Sequence, residues 1–207
     1  MKLYACPGTC SLAPHILLHH FEVPHEIEWI DLKKGDSHTP EFLEVNPVGQ
    51  VPTLVTDEGE VITEVAAILL YLFERYGQSE GPVHQTVRQL SFIATELHKS
   101  FLPVFFAKRI VTQEEAAAAL ADHYRAKLEG HWKYIEGLLP APDSLGDAQM
   151  GAADPYLYTT CRWWKAVGGD FAAYPHIEAF LADMEARGSV QAALKAENLP
   201  PVASAPA

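Results

Sequence analysis

In the N-terminal part of the chain, apolar residues alternate or cluster in short runs at Lys2 to Ala5, Ile27 to Leu32, Thr53 to Thr56 and Val61 to Thr63, with Gly, Pro and Asp at their edges. These runs predict four strands. Between the first two, Leu12 to Phe21 has helical character, and Pro14 is tolerated there because N–H groups of the first turn have no intrahelical partner. A looser helix is expected at Pro40 to Val45. Asp57-Glu58-Gly59 separates two strand-like runs as a hairpin turn. Beyond it Val65, Ile68, Leu69, Leu72, Phe73 and Tyr76 fall on one face of a helix. The order β-α-β, helix, β-β-α is that of a small thioredoxin-like sheet with helices packed on it.

Gly77-Gln78-Ser79-Glu80-Gly81-Pro82 interrupts the pattern, and after it the strand signals cease. Leu90, Ile93, Leu97 and Phe101 mark one helix, and Leu120, Tyr124, Leu128, Trp132, Ile135 and Leu139 a second. Leu157, Cys161 and Trp164 mark a third, and Ile177, Phe180, Leu181 and Met184 a fourth. The expected organisation is an α/β thioredoxin-like domain over residues 1–76, a linker at 77–82, an all-α helical bundle over 83–200 and a frayed tail at 201–207.

Composition narrows the function classes. The 207 residues are 48% hydrophobic, enough for a substantial core, and the longest apolar stretch, Val65 to Phe73, falls far short of a bilayer span. With so short an apolar run no membrane is an expected partner, and a formal charge of −12 opposes a surface that tracks phosphates, so nucleic acid is not expected either. Met1 to Cys10 lacks the pattern of a secretory signal, and cytoplasmic residence is the expectation. Three cysteines, Cys6, Cys10 and Cys161, make no disulfide framework.

The candidate chemistry gathers at three places. Cys10 follows Pro7-Gly8-Thr9 where the first helix begins, so its sulfur is expected to face free N–H groups and the positive end of the helix dipole, which favour a thiolate. Cys6 and Cys10 are spaced C-x3-C, which argues against a dithiol redox pair. Val51-Pro52 precedes the third strand; proline cannot donate to a ladder, which leaves a neighbouring backbone edge open to a ligand, and a cis bond would suit that role. At Thr63-Glu64-Val65 a helix start can hold a carboxylate while the Glu64 side chain accepts an ammonium group. His15 and His19 stand one helical turn apart, but with no third ligand at fixed spacing the pair reads as a surface feature, and no metal is expected. Phe105, Phe106, Trp163 and Trp164 suit either a bundle core or the wall of an apolar pocket.

The runs MKLYACPGTCSLAPHILL, NPVGQVPTL, ITEVAAILLYL and IATELHKSFLPVF, taken in order, resemble glutathione S-transferases of the bacterial beta class over nearly the full length. The resemblance implies the glutathione transferase fold, a homodimer and glutathione as co-substrate. It implies that Cys10 lies beside the glutathione sulfur, that His98 faces that sulfur from the second domain, and that the second substrate's pocket lies between the domains. By the same resemblance Val51 hydrogen-bonds the cysteinyl part through its backbone, Pro52 is the cis proline and Glu64 meets the γ-glutamyl part. Lys34 and Lys99 approach the carboxylates, Gln50 lies at the same edge, and Phe105 and Trp163 stand nearest an electrophile. Two positions depart from the family. Val65 stands where a serine is frequent, leaving only its backbone N–H, and Gly151-Ala152-Ala153-Asp154 lacks the Ser or Thr of a capping box.

The expected activity is conjugation of the glutathione thiolate to hydrophobic electrophiles, a detoxification chemistry. Two alternatives accompany it: glutathione-dependent thiol–disulfide exchange with Cys10 as nucleophile, and a non-catalytic protein that binds glutathione or hydrophobic ligands.

Overall fold

A computed structural model describes residues 1–77, 82–139 and 149–203. The expected linker, apart from Gly77 and Pro82, and residues 204–207 of the expected tail lie outside the described residues. The chain divides into two compact units, Met1–Gly81 with Met184–Pro201, and Pro82–Asp183 with Val202–Ala207. Residues 83–200 were expected to form one helical domain, but their last portion joins the N-terminal unit. Among the described residues no helix is long and apolar enough to cross a membrane.

The first unit is built on a sheet of order β2-β1-β3-β4, formed by β1 (Lys2–Ala5), β2 (Glu26–Trp29), β3 (Thr53–Val55) and β4 (Val61–Thr63). β1 pairs parallel with β2 and antiparallel with β3, and β3 pairs antiparallel with β4. Leu3 faces Ile27 on one side and Leu54 on the other, and Leu3, Ala5 and Leu54 are fully buried. The four strands expected from the sequence are present, with β2 shifted slightly toward the N-terminus.

Helix α1 (Leu12–His20) carries Leu12, Ala13, Ile16, Leu17 and Leu18 without exposure. Such a helix is apolar nearly all round because it is covered on more than one side. α3 (Val65–Tyr76) packs on it, and so does α9 (Gly188–Ala196), a helix the sequence pattern did not reveal. α2 (Pro40–Val45) begins with Pro at its first position and is capped by Thr39, whose Oγ1 accepts from the Phe42 N–H.

In the second unit α4 (Val83–Phe92), a π-helical turn (Ile93–His98) and α5 (Lys99–Ile110) follow one another, with Leu90, Ile93, Leu97 and Phe101 all buried. The turn widens five residues before Pro103, whose ring leaves no N–H for the helix ladder. α5 packs against α6 (Glu114–Leu138), and α7 (Asp154–Ala166) is buried along most of its length. α8 (Pro175–Ala186) supplies Ile177, Phe180 and Leu181 to the core. The incomplete capping box at α7 keeps one half: the Gly151 N–H donates to Asp154 Oδ2 at 2.8 Å, and Asp154 is buried.

Candidate active site

The first unit brings Cys10, Val51 and Pro52 together. Cys10 sits two residues ahead of α1, only 9% exposed, and its thiol donates to the Val51 carbonyl at 3.5 Å. The turn that delivers it is tied by Ser11, whose Oγ accepts from the Cys6 N–H at 3.1 Å and donates to the Cys6 carbonyl at 3.0 Å. Burial pushes the Cys10 thiol up to about 12; its own N–H and that of Ser11 pull the other way, while the Glu64 charge and Cys6 add to the rise. The sequence rule for a helix start predicted the opposite direction. Desolvation outweighs two amide hydrogen bonds here, so in the free protein Cys10 is a thiol.

The Val51–Pro52 peptide is cis. β3 pairing begins only at Thr53, so the Val51 backbone is not consumed by the ladder. The turn carrying it is held by Asn46, a residue to which the sequence gave no role. Asn46 is 2% exposed; its Nδ2 donates to the Gln50 carbonyl and to Thr53 Oγ1, each at 2.9 Å, and its Oδ1 accepts from the Val48 N–H at 3.0 Å. Gly49 is in the left-handed region at φ 67°, and a Cβ there would stand 2.8 Å from the His38 ring and 2.9 Å from the Ser37 carbonyl, so the turn admits no side chain. The only advance sign of Asn46 was its place before Pro47, where an Asx side chain commonly bonds its own backbone two residues on.

Glu64 separates β4 from α3 and holds φ 68°, ψ 126°, a conformation costly for a residue with a Cβ. It is exposed, and Val65 after it occupies the first position of α3, where a backbone N–H has no intrahelical partner. Gln50 is exposed with its carbonyl engaged by Asn46, and Lys34 is exposed and paired with Asp31 at 3.3 Å. Lys99 and His98 belong to the second unit.

His98 ends the π-helical turn, and its Nδ1 is hydrogen-bonded to the Tyr156 hydroxyl. Burial, assisted by the Lys99 charge, lowers His98 to about 4, so the ring is neutral at ordinary pH. Its ring lies 4.9 Å from that of Trp163, which meets Phe105 at 5.9 Å and Phe101 at 5.5 Å, all edge to face. Phe105 is 40% exposed and Trp163 is 8% exposed. The two aromatic residues singled out from the sequence thus share one cluster, with Phe101 and Tyr156 added to it.

His15 corrects the reading of a surface pair. It is 1% exposed, its Nδ1 meets Glu197 Oε1 at 2.8 Å, and the other Glu197 oxygen accepts from the Gly8 N–H at 2.8 Å.

A family model described as glutathione S-transferase, N-terminal domain, matches residues 7–75. The chain is 38% identical over 207 residues to glutathione S-transferase GstA of Escherichia coli O157:H7, covering 96% of this chain and all of that one. Among solved structures it resembles a sphingomonad glutathione S-transferase complexed with glutathione, at 38% identity and TM-score 0.81, covering 97% of this chain and all of the other. A bacterial beta class glutathione S-transferase of Sphingomonas chungbukensis matches at 33% identity and TM-score 0.82, with the same coverage.

Proposed function

The chain belongs to the glutathione S-transferase family, and from that premise we propose that it binds glutathione along the Val51–Pro52 edge beside Cys10 and joins its sulfur to an apolar electrophile. The observation that carries this reading is the Cys10 thiol resting on a carbonyl of the cis-proline edge, 3.5 Å away. An arriving cysteinyl segment pairs with the free Val51 backbone, and the Cys10 S–H turns from the Val51 carbonyl to the ligand's sulfur. A thiol kept protonated up to about 12 serves there as a donor that steadies another thiolate. The same property disfavours thiol–disulfide exchange through Cys10, which needs its thiolate.

The Val65 N–H and the Glu64 carboxylate receive the γ-glutamyl carboxylate and ammonium, with Gln50, Lys34 and Lys99 completing the peptide's charge contacts. Phe105 and Trp163 provide the apolar surface for the electrophile. His98, held neutral by burial, accepts a hydrogen bond from the glutathione thiol and passes its proton on to solvent rather than keeping it: in the tautomer with Nδ1–H donating to the Tyr156 oxygen, Nε2 carries the lone pair for this. The sulfur–carbon bond then forms as the leaving group departs with its electron pair. In this reading residues 1–76 serve glutathione and 83–200 the electrophile.

The protein is further proposed to be a cytoplasmic homodimer of the beta class acting in detoxification. The full-length likeness to a beta class structure supports the class, and the exposed Val83 and Val87, one turn apart on α4, support a covered face.

Conjugation of a generic aryl halide, with calorimetric titration of glutathione alongside, tests the assignment. His98→Ala is expected to lower kcat about 100-fold, and Cys10→Ala to lower kcat/KM about 10-fold. Unchanged rates in both variants overturn the site assignment, and turnover of a mixed disulfide that Cys10→Ser abolishes assigns the protein to exchange instead. Retention of glutathione without conjugation establishes a binding protein.

A further inference from the structure

The end of α1 folds back on itself. Glu22 takes the left-handed conformation at φ 53°, the Val23 N–H bonds to the Leu18 carbonyl at 2.9 Å and the Glu22 N–H to that of His19 at 3.2 Å. This reversal carries the chain into β2 and lays His25 beside the helix. Its ring centroid comes within 5.1 Å of that of His19 and 5.8 Å of that of His15. One ring nitrogen from each of His15, His19 and His25 lies within 4.8 Å of the other two. The third ligand that sequence spacing did not offer is supplied in space.

The hydrogen bonds of these rings orient them for coordination. The Val23 carbonyl can only accept, so the His25 Nδ1 at 2.7 Å from it carries the hydrogen and Nε2 is left with a lone pair. His15 Nδ1 donates likewise to Glu197, freeing its Nε2, in the carboxylate–histidine arrangement that fixes tautomer and ring angle in metal sites. His19 Nε2 stands 3.2 Å from His15 Nε2. Two nitrogens bound to one tetrahedral zinc at about 2.0–2.1 Å are themselves about 3.3–3.4 Å apart, so this pair already has the separation of two ligands.

We propose that His15, His19 and His25 bind one divalent zinc ion, with Glu197 as the partner that orients His15 and a fourth position left to water. Without the ion the His19 Nε2 hydrogen bridges to His15; on binding, that hydrogen moves to His19 Nδ1 and both Nε2 lone pairs turn to the metal, with no net release of protons. Imidazole ligands without thiolate or clustered carboxylates select a borderline cation of this kind over calcium or magnesium. His19 also lines an open cavity of about 380 Å³ with His20, Glu22 and Arg187, which gives an ion a way in. The nearby Met1 ammonium is paired with Asp57 at 2.6 Å. None of the proposed ligands is a residue assigned to glutathione, and the proposal does not depend on that assignment.

The test is titration of zinc alone into the untagged full chain, in competition with a chromophoric chelator. One zinc per chain with sub-micromolar affinity is expected. His19→Gln and His25→Gln, both part-exposed positions, are expected to weaken binding at least about 100-fold, and Glu197→Gln about 10-fold, with circular dichroism confirming that each variant is folded. Cobalt is expected to give the visible absorption of a tetrahedral nitrogen site in the wild type and to lose it in His25→Gln. Failure to bind a stoichiometric ion at micromolar zinc overturns the proposal, as does wild-type affinity in both His variants. Loss of binding in Cys6→Ser/Cys10→Ser with retention in the His variants overturns it too, by assigning the ion to the thiols.

Discussion

The turn around Cys10 in the first unit and the aromatic cluster around His98 in the second are built from different materials. Around Cys10 the working groups are mostly backbone: the Val51 edge, the N–H at the start of α3, and a turn tied by Asn46 and closed by Gly49. Around His98 they are side chains, with Trp163, Phe105 and Phe101 packed edge to face and Tyr156 fixing the imidazole. A backbone edge presents the same groups whatever side chains it bears, which suits a constant peptide. An aromatic cluster changes shape with each substitution, which suits a surface that is varied to accept different electrophiles.

Breaking the backbone side is expected to have the largest effect. Asn46→Ala strands the Val48 N–H and removes the donor to Gln50 and Thr53 in a buried place. A loss of about 3 kcal/mol in urea unfolding and a glutathione affinity weakened more than about 10-fold by calorimetry are expected, although Asn46 is assigned no contact with the ligand. Next comes the pH dependence of His98. Its folded value of about 4 lies below the ordinary 6.5, so between those values the unfolded chain takes up a proton that the folded one refuses. Stability is expected to fall by about 2 kcal/mol as pH drops from 6.5 to 4, and His98→Gln to flatten that decline in chemical denaturation.

Phe105→Ala sharpens the contrast itself. The ring is 40% exposed, so folding is little affected, while KM for an apolar electrophile is expected to rise about 5- to 10-fold with KM for glutathione unchanged. Equal rises in both would erase the distinction between the two sides. The smallest change is Gly151→Ser. Among the described residues a Cβ there meets only the Asp154 side chain, nearest at 3.5 Å, and the restored cap is expected to add about 0.5–1 kcal/mol, seen as a rise in thermal midpoint with no change in activity.

The parts of the fold that the sequence revealed are those with a strong local period. β1 and β4 stand where alternation put them, and α2 and α3 begin and end at the expected residues. α9 escaped because its buried face is Val190, Ala193 and Leu194, too little apolar bulk to stand out, and its partner α1 is remote in sequence. The π-helical turn was invisible for the opposite reason: buried positions 90, 93, 97 and 101 satisfy an ordinary helical period. In the candidate site, Cys10, Val51 and Pro52, which the structure brings together, lie in short motifs, and Phe105 and Trp163, which meet in one cluster, were named by the resemblance; motifs and resemblance fix which residues are present. They do not fix how much water surrounds them, and so the direction of the Cys10 shift was misjudged. Asn46, Tyr156 and Glu197 act through contacts with partners that no fixed spacing announces.

Glu197 has one more effect, on the order in which the molecule can be completed. The amide of Gly8, two residues before Cys10, and the ring of His15 both bond to this carboxylate, 189 and 182 positions further along. During synthesis the strands and helices of residues 1–77 leave the ribosome while codon 197 is still untranslated. The N-terminal half of a nascent chain therefore waits, with the α9 cover of α1 missing, for nearly the whole polypeptide to be made, and a messenger cut short after α8 yields a chain that has Cys10, Val51, Pro52 and Glu64 yet lacks the clasp behind the Cys10 turn.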